Sequence, residues 1–293
     1  MSCFEHFAEI LRTNAPLAPL TWYQLGGPAR YYAEPRDESE LAALLRCARD
    51  SGVAWRILGR GANLLVRDEG FDGLVVRLCG PCFEEVEYDG QRVQVGAGRD
   101  FTRLVRESLD LGLTGLEALA GIPGTVGGII RMNAGGRYGE IASFVERMSL
   151  IDAQGELVER DAAGIGFSYR HTCLDGCAIL GARLLLQQAD ATHAKARYRE
   201  IWNEKYSNQP PVSARTCGCI FKNPPGHSAG VLIDRAGLKG HRVGGAVISA
   251  KHANFIVAEA DARARDVLDL IALAKDRVWN QTGFELQLEV EVW

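Results

Sequence analysis

The sequence predicts an α+β protein of about two domains. Its 293 residues exceed the roughly 150 of an average domain. The first 80 residues read as β-α-β-β, and later segments mix strand-period and helix-period apolar patterns. Glycine is in surplus: 33 residues, about 11% of the chain, against an average near 7%. There is no G-X-Y period, so collagen is excluded and the glycines need another cause.

Asp37 opens a helix, with Glu40 three residues on as a capping box. Leu41, Leu44, Leu45 and Ala48 mark its buried face, and Gly52 ends it. Trp55–Leu58 and Gly73–Leu78 are short apolar strands. Glu84–Tyr88 and Arg92–Val95 form a hairpin around Asp89-Gly90. Asp100 caps a second helix, whose Phe101, Leu104, Val105, Ser108 and Leu109 are spaced for burial. Strands follow at Arg147–Asp152, Glu156–Glu159 and Ala178–Leu186, then a helix over Ala191–Tyr206. Gln209-Pro210-Pro211 signals a boundary. Beyond it come a helix near Ser228–Ala236, a strand near Phe255–Val257 and a helix from Asp261 to Gln281. The chain closes on a strand, Glu285–Val292. There Leu286, Leu288, Val290 and Val292 face one way, and Glu285, Gln287, Glu289 and Glu291 the other.

A net charge of −4 and a pI near 5.9 argue against a nucleic-acid binder. No apolar run reaches the roughly 18 residues of a membrane span. Met1–Arg12 lacks the pattern of a signal peptide, so a cytoplasmic protein is expected. In that compartment the eight cysteines read as free thiols rather than a disulfide framework. Cys79-Gly80-Pro81-Cys82 has redox spacing. A redox site of that kind would open a helix, whereas a hairpin is expected here. A zinc site with Cys173 and Cys177 is possible by ligand type, but no metal is expected.

Nine glycines fall within Gly112–Gly139 and six within Gly226–Gly245. Two loops stand out: Gly59-Arg60-Gly61-Ala62-Asn63-Leu64, directly after a strand, and Gly121-Ile122-Pro123-Gly124-Thr125-Val126-Gly127-Gly128, followed by Asn133-Ala134-Gly135. Glycine lets backbone N–H groups approach a ligand, and a helix start favours anions. Neither loop carries a dinucleotide fingerprint or a P-loop. Tight turns in a packed α+β domain and a diphosphate cradle both remain open. Two separated cradles would suit a large dinucleotide such as FAD.

The chain resembles the UDP-N-acetylenolpyruvoylglucosamine reductase (MurB) family from about Asn14 to Glu291. The resemblance is carried by Thr21–Ala29, Leu58–Val66, Gly121–Gly135, Gly166-Phe167-Ser168-Tyr169-Arg170, Gly218-Cys219-Ile220-Phe221-Lys222-Asn223-Pro224 and Gly237–Phe255. It implies an FAD-binding portion of two α+β subdomains, of the vanillyl-alcohol-oxidase kind, over residues 1–80 and 81–205. A smaller α/β substrate-binding domain over 206–293 would follow. The short stretch between Arg170 and Ala191 implies the compact subtype, without a long substrate-capping loop.

The resemblance also implies an activity in peptidoglycan precursor synthesis. NADPH would reduce non-covalent FAD, which would then reduce the enolpyruvyl ether of UDP-N-acetylglucosamine enolpyruvate. NADPH and the nucleotide sugar would use one pocket in turn. Arg170 matches the arginine at the substrate carboxylate, and Glu289 the terminal glutamate. Cys219 stands where many members carry a serine proton donor. A thiol is mostly protonated at neutral pH and is a stronger acid than an alcohol, so the donor role should survive. Cys217 is a candidate resolving thiol should Cys219 oxidise. Lys205, Asn223 and Tyr169 fall on the substrate side. The two loops, Asn133-Ala134-Gly135 and Arg242 fall on the flavin side, with Ser249, Lys251 and His252 nearby. Gln24 and Glu291 depart from family arginines. A monomer without nucleic-acid or membrane partners is expected. The alternatives are a related flavoprotein oxidase with another substrate, or a non-catalytic nucleotide binder.

Overall fold

The computed structural model describes residues 3–293. The chain divides into two compact units. One comprises residues 1–13, 31–60 and 72–203; the other comprises 14–30, 61–71 and 204–293.

The first unit is built on two sheets. A four-stranded sheet has the order Leu11–Pro16, Pro28–Ala33, Phe71–Arg77, Trp55–Leu58. Its last two strands are parallel, Trp55 opposite Leu74 and Leu58 opposite Arg77. A five-stranded antiparallel sheet has the order Leu157–Asp161, Val145–Ile151, Ala178–Leu185, Arg92–Gly96, Val86–Asp89. Asp89 pairs with Arg92 across the expected hairpin turn, and Gly90 takes the left-handed backbone that such a turn needs (φ +57°).

Helix α1 (Glu38–Asp50) begins where expected. The Asp37 carboxylate accepts from the Glu40 amide at 2.8 Å. Glu40 does not close the predicted capping box; its carboxylate accepts from the Arg36 amide at 2.7 Å, one residue further back. A single turn, α2 (Pro81–Glu84), is followed by α3 (Phe101–Asp110). Asp100 caps α3 by accepting from Arg103 N at 2.8 Å, and all five predicted core residues are buried. Helix α4 (Val126–Arg131) carries the second glycine loop, and α5 spans Ala191–Asn208.

Two expectations about cysteine change here. The 3-10 turn Cys3–Phe7 packs on α1 and brings Cys3 and Cys47 to a Cα separation of 5.9 Å, where they form a disulfide. The other six cysteines are free thiols. Cys79-Gly80-Pro81-Cys82 does open a helix, since Pro81 sits in the first turn after Gly80. Yet burial and neighbouring carboxylates raise both thiols: Glu34 acts on Cys79, and Glu38 and Asp37 on Cys82. That is the opposite of an activated dithiol.

In the second unit, α6 (Ala229–Arg235) and α7 (Ala264–Thr282) pack with a three-stranded antiparallel sheet, Arg242–Val243, Ala246–Ile248 and Ile256–Ala258. Tyr23 and Phe221 are among its fully enclosed side chains. The closing segment forms less strand than predicted. Only Glu291–Val292 pairs regularly, parallel to Leu64–Leu65, and Leu288 makes one bridge to Phe221. The predicted alternation survives without a ladder: Leu286 and Val290 are buried, while Glu285, Gln287 and Glu291 are exposed. Among the described residues, no helix is long and apolar enough to cross a membrane.

Candidate active site

In the first unit the chain brings the start of one glycine loop against the other. A Cβ on Gly59 would lie 2.7 Å from Thr125 Oγ1. The same hydroxyl caps α4, accepting from Gly128 N at 3.3 Å. Arg60 forms an ion pair with Asp100, the cap of α3. Main-chain bonds complete the junction: Phe101 N donates to Gly124 O at 3.1 Å, and Gly127 N to Ala97 O at 2.8 Å.

The arginine expected at the substrate sits on the turn of a small hairpin, Phe167–Ser168 against His171–Thr172. Arg170 takes the left-handed region (φ +55°), which an L side chain occupies at a cost. Its Nη2 donates to Gly135 O at 2.6 Å, and its guanidinium lies 4.9 Å from the Tyr169 ring centroid. Tyr169 is exposed. The hairpin is clamped from below by two buried polar side chains. Thr172 Oγ1 donates to Ile130 O at 2.7 Å. Asn133, fully buried and at φ +39°, donates from Nδ2 to Ser168 O at 2.9 Å and accepts from Ala142 N at Oδ1, 3.2 Å. The Asn133 amide is thus spent within the protein.

In the second unit Cys219 and Glu289 share a scaffold. Glu289 N donates to Ile220 O at 2.8 Å, and Lys222 N to Gln287 O at 2.9 Å. Asn63, from the first glycine loop, donates from Nδ2 to Glu289 O at 3.0 Å, and its own carbonyl accepts from Glu291 N at 3.1 Å. That loop cannot carry side chains freely, because a Cβ on Gly61 (φ +62°) would come within 2.6 Å of Leu20 O.

Cys217 lies beneath this scaffold and is 2% exposed. Its thiol is pushed up to about 12, first by burial, with the charges of Cys219 and Glu289 adding to it. A thiol held protonated in this way is a poor resolving nucleophile, so Cys217 reads as a packing residue beside Tyr23.

The remaining predicted residues are spread over this unit. Lys205 sits in the last turn of α5. Asn223 Oδ1 accepts from Ala229 N at 2.9 Å, at the start of α6. Arg242 makes a two-pronged ion pair with Glu259 at 2.6 and 2.7 Å. Ser249 Oγ accepts from the amides of Lys251 and His252, and Lys251 Nζ donates to Tyr206 O at 2.9 Å. Burial lowers the His252 imidazole. Among the described residues, no group of three or more His, Cys, Asp or Glu side chains is arranged for a metal ion.

Two residues escaped the sequence reading. Arg215 donates to Tyr23 O and Gln24 O at 3.0 and 3.2 Å, holding the segment Tyr23-Gln24. Asn254 binds the backbone just after Cys219. Neither has a local sequence signal, since both work on partners far away in the chain.

Comparison with known proteins finds two family models along the chain. The model of an FAD binding domain matches residues 29–161. The model of the UDP-N-acetylenolpyruvoylglucosamine reductase C-terminal domain matches residues 209–293. UDP-N-acetylenolpyruvoylglucosamine reductase 2 of Symbiobacterium thermophilum is 41% identical over 97% of this chain and 92% of its own. The reductase of Anaeromyxobacter sp. (strain Fw109-5) is 43% identical over 97% of this chain and 88% of its own. The chain belongs to the UDP-N-acetylenolpyruvoylglucosamine reductase family. The crystal structure of the Thermus caldophilus MurB enzyme superposes with a TM-score of 0.83 at 39% identity, covering 97% of this chain and 99% of that one. The expected α+β fold is therefore the family's fold.

A UDP-N-acetylenolpyruvoylglucosamine reductase must seat FAD, and the glycines of α4 test the fit. Gly127 is required by the fold itself, because its Cβ would stand 2.9 Å from Ala97 Cβ. Gly128 is exposed, and its Cβ would meet only an ordinary contact, 3.5 Å from Thr125 Oγ1. That bare position leaves room for a bound diphosphate to approach the backbone. The residues present fit the cofactor.

Proposed function

We propose that the protein reduces UDP-N-acetylglucosamine enolpyruvate to UDP-N-acetylmuramate, with FAD as the hydride carrier and NADPH as the reductant. Family membership along nearly the whole chain supports the reaction. The observation that carries the chemistry is the scaffold joining Cys219 to Glu289 through Ile220 O. On this reading residues 1–80 and 81–205 serve the flavin and 206–293 the substrate. A nucleotide-sugar substrate and NADPH suit a cytoplasmic monomer with no nucleic-acid or membrane partner.

When bound, FAD would supply the hydride-carrier chemistry between NADPH and C3 of the enolpyruvyl ether. The residues that hold it are Gly59, Arg60, Gly61, Ala62, Asn63 and Leu64, Gly121–Gly128, and Asn133-Ala134-Gly135. Asn133 acts through the backbone it fixes, since its amide is already spent. Arg242, ion-paired with Glu259 as Arg60 is with Asp100, completes this set.

The chain's own task is the charge left at C2. Arg170 suits a carboxylate because its planar fork offers parallel donors, and the Gly135 bond fixes its direction. Tyr169 restrains it from the ring side. Glu289, held through its backbone by Asn63, would donate a hydrogen bond to the enolate in its protonated form. Cys219 gives its proton to C2 as general acid. Lys205 and Asn223 hold the nucleotide portion.

The test is a pair of half-reactions. NADPH oxidation should require UDP-N-acetylglucosamine enolpyruvate; oxidation driven by oxygen alone would favour an oxidase. Cys219→Ala should keep flavin reduction by NADPH and lose reoxidation by substrate. Normal turnover in that variant removes the donor role from Cys219.

A further inference from the structure

Cys219 lies between an open glycine and a closely packed pair. Gly218 precedes it at φ +83°, and a Cβ there would meet nothing within 4 Å. Ile220 and Phe221 follow it and are 1% and 2% exposed. Buried main-chain groups need partners, but this segment has a single bridge, Phe221 to Leu288, in place of a strand ladder.

One residue supplies most of the missing partners. Asn254, 3% exposed, accepts from Ile220 N at its carbonyl, 2.9 Å. Its side chain accepts from Phe221 N at Oδ1, 2.9 Å, and donates from Nδ2 to Phe221 O, 2.8 Å. The remaining polar group of the pair, Ile220 O, takes the amide of Glu289. Asn254 and Glu289 therefore pair the four main-chain groups of the dipeptide between them.

The residue type matters. A carboxamide offers one donor and one acceptor side by side and can mimic a neighbouring strand. Aspartate would turn an acceptor toward Phe221 O, and alanine would leave both Phe221 groups unpaired in a buried place.

We propose that Asn254 is a positioning residue for proton transfer: it fixes Cys219 relative to Glu289 by locking the dipeptide Ile220-Phe221. The proposal rests on the reading of Cys219 as proton donor. Proton transfer tolerates little displacement, and a misplacement of about 1 Å can cost on the order of 100-fold.

The experiment uses the flavin-loaded enzyme and stopped-flow measurement of each half-reaction in Asn254→Ser, Asn254→Asp, Cys219→Ala and the double variants. Asn254→Ser and Asn254→Asp should reduce flavin with NADPH at rates within about twofold of the parent. Their reoxidation by substrate should fall roughly 10- to 100-fold. Adding Cys219→Ala should cause no further fall beyond Cys219→Ala alone, because the two residues act on one step. In flavin-free protein, alkylation of Cys219 by iodoacetamide, followed by peptide mapping, should accelerate several-fold in both Asn254 variants. If one variant fails to fold, the other carries the test. Unchanged reoxidation in a folded Asn254 variant overturns the proposal, as does a loss that multiplies fully with Cys219→Ala. Either result leaves the donor role standing if Cys219→Ala alone abolishes reoxidation. Normal reoxidation in Cys219→Ala removes the donor reading, and this proposal with it.

Discussion

Replacing Asn133 by alanine tests how the arginine-bearing hairpin is held. The change deletes a 2.9 Å bond to Ser168 O and a 3.2 Å bond from Ala142 N, both made by a fully buried side chain. Ser168 is exposed, so water can replace the first bond and its loss costs about 0.5–1 kcal/mol. Ala142 is half-buried, so its amide loses about 1 kcal/mol. Position 133 sits at φ +39°, where asparagine is tolerated and alanine adds roughly 1 kcal/mol. The total is about 2.5–3 kcal/mol. At roughly 2–4 °C per kcal/mol for a body of this size, Tm of the flavin-free protein should fall by about 5–12 °C. Asn133→Gly removes the backbone penalty and should recover about 1 kcal/mol of the loss. Thermal unfolding followed by circular dichroism measures both. A Tm within about 1 °C of the parent, together with a large loss of FAD affinity, would refute the clamp and make Asn133 a direct flavin contact.

Adjacent glycines should respond in opposite ways. Gly127→Ala pushes a methyl to 2.9 Å from Ala97 Cβ and should destabilise the flavin-free protein by about 1–3 kcal/mol in urea titration. Gly128→Ala meets only an ordinary contact and should raise stability in that titration by about 0.4–1 kcal/mol, while weakening FAD binding in a fluorescence titration. Brief peroxide treatment should oxidise Cys219 and leave Cys217 as a thiol by mass spectrometry, because Cys217 is buried and held protonated. For His252, burial lowers the folded-state value below the ordinary 6.5. The unfolded chain then takes up the proton first, so its contribution to stability is present above about pH 6.5 and is lost as pH falls below it. His252→Asn should flatten the slope of stability against pH between about pH 7 and 5.5. An unchanged slope would assign that acid sensitivity to other groups.

Elements with a clear period were legible in the sequence. The spacing Phe101, Leu104, Val105, Ser108, Leu109 identifies the buried face of α3, and Asp100 its cap, because both signals lie within ten residues. The turn at Pro81 was missed since four residues show no period, although Gly-Pro is itself a helix-start signal. The Cys3–Cys47 disulfide depends on how a 3-10 turn packs on α1, which no local pattern encodes. At the C-terminus the alternation of Leu286 and Val290 predicted burial correctly. It overpredicted the ladder, since burial can be satisfied by packing while hydrogen bonds go elsewhere. The proposed functional residues Arg170, Cys219 and Glu289 came from motif resemblance, and Arg215 and Asn254 were invisible because they bind backbone far away in the chain.

Those missed residues point to a common device. The segments that carry the proposed chemistry are too short to hold themselves. Arg170 sits on a hairpin with two residues per strand, and Glu289 precedes a strand pair of the same length. A ladder so short does little to fix register or to resist fraying. In each case a buried or half-buried asparagine supplies what the ladder lacks: Asn133 for the Arg170 hairpin, Asn63 for Glu289, and Asn254 for the stretch after Cys219. An amide side chain can bind backbone from any direction that packing allows, so it fixes a loop without extending it into a strand. The loop keeps an open face for a ligand while its buried polar groups stay paired. Exchange of these amides for hydrophobic residues of similar volume should therefore loosen the site before it unfolds the chain, with substrate reduction failing at temperatures where the circular dichroism spectrum is still native.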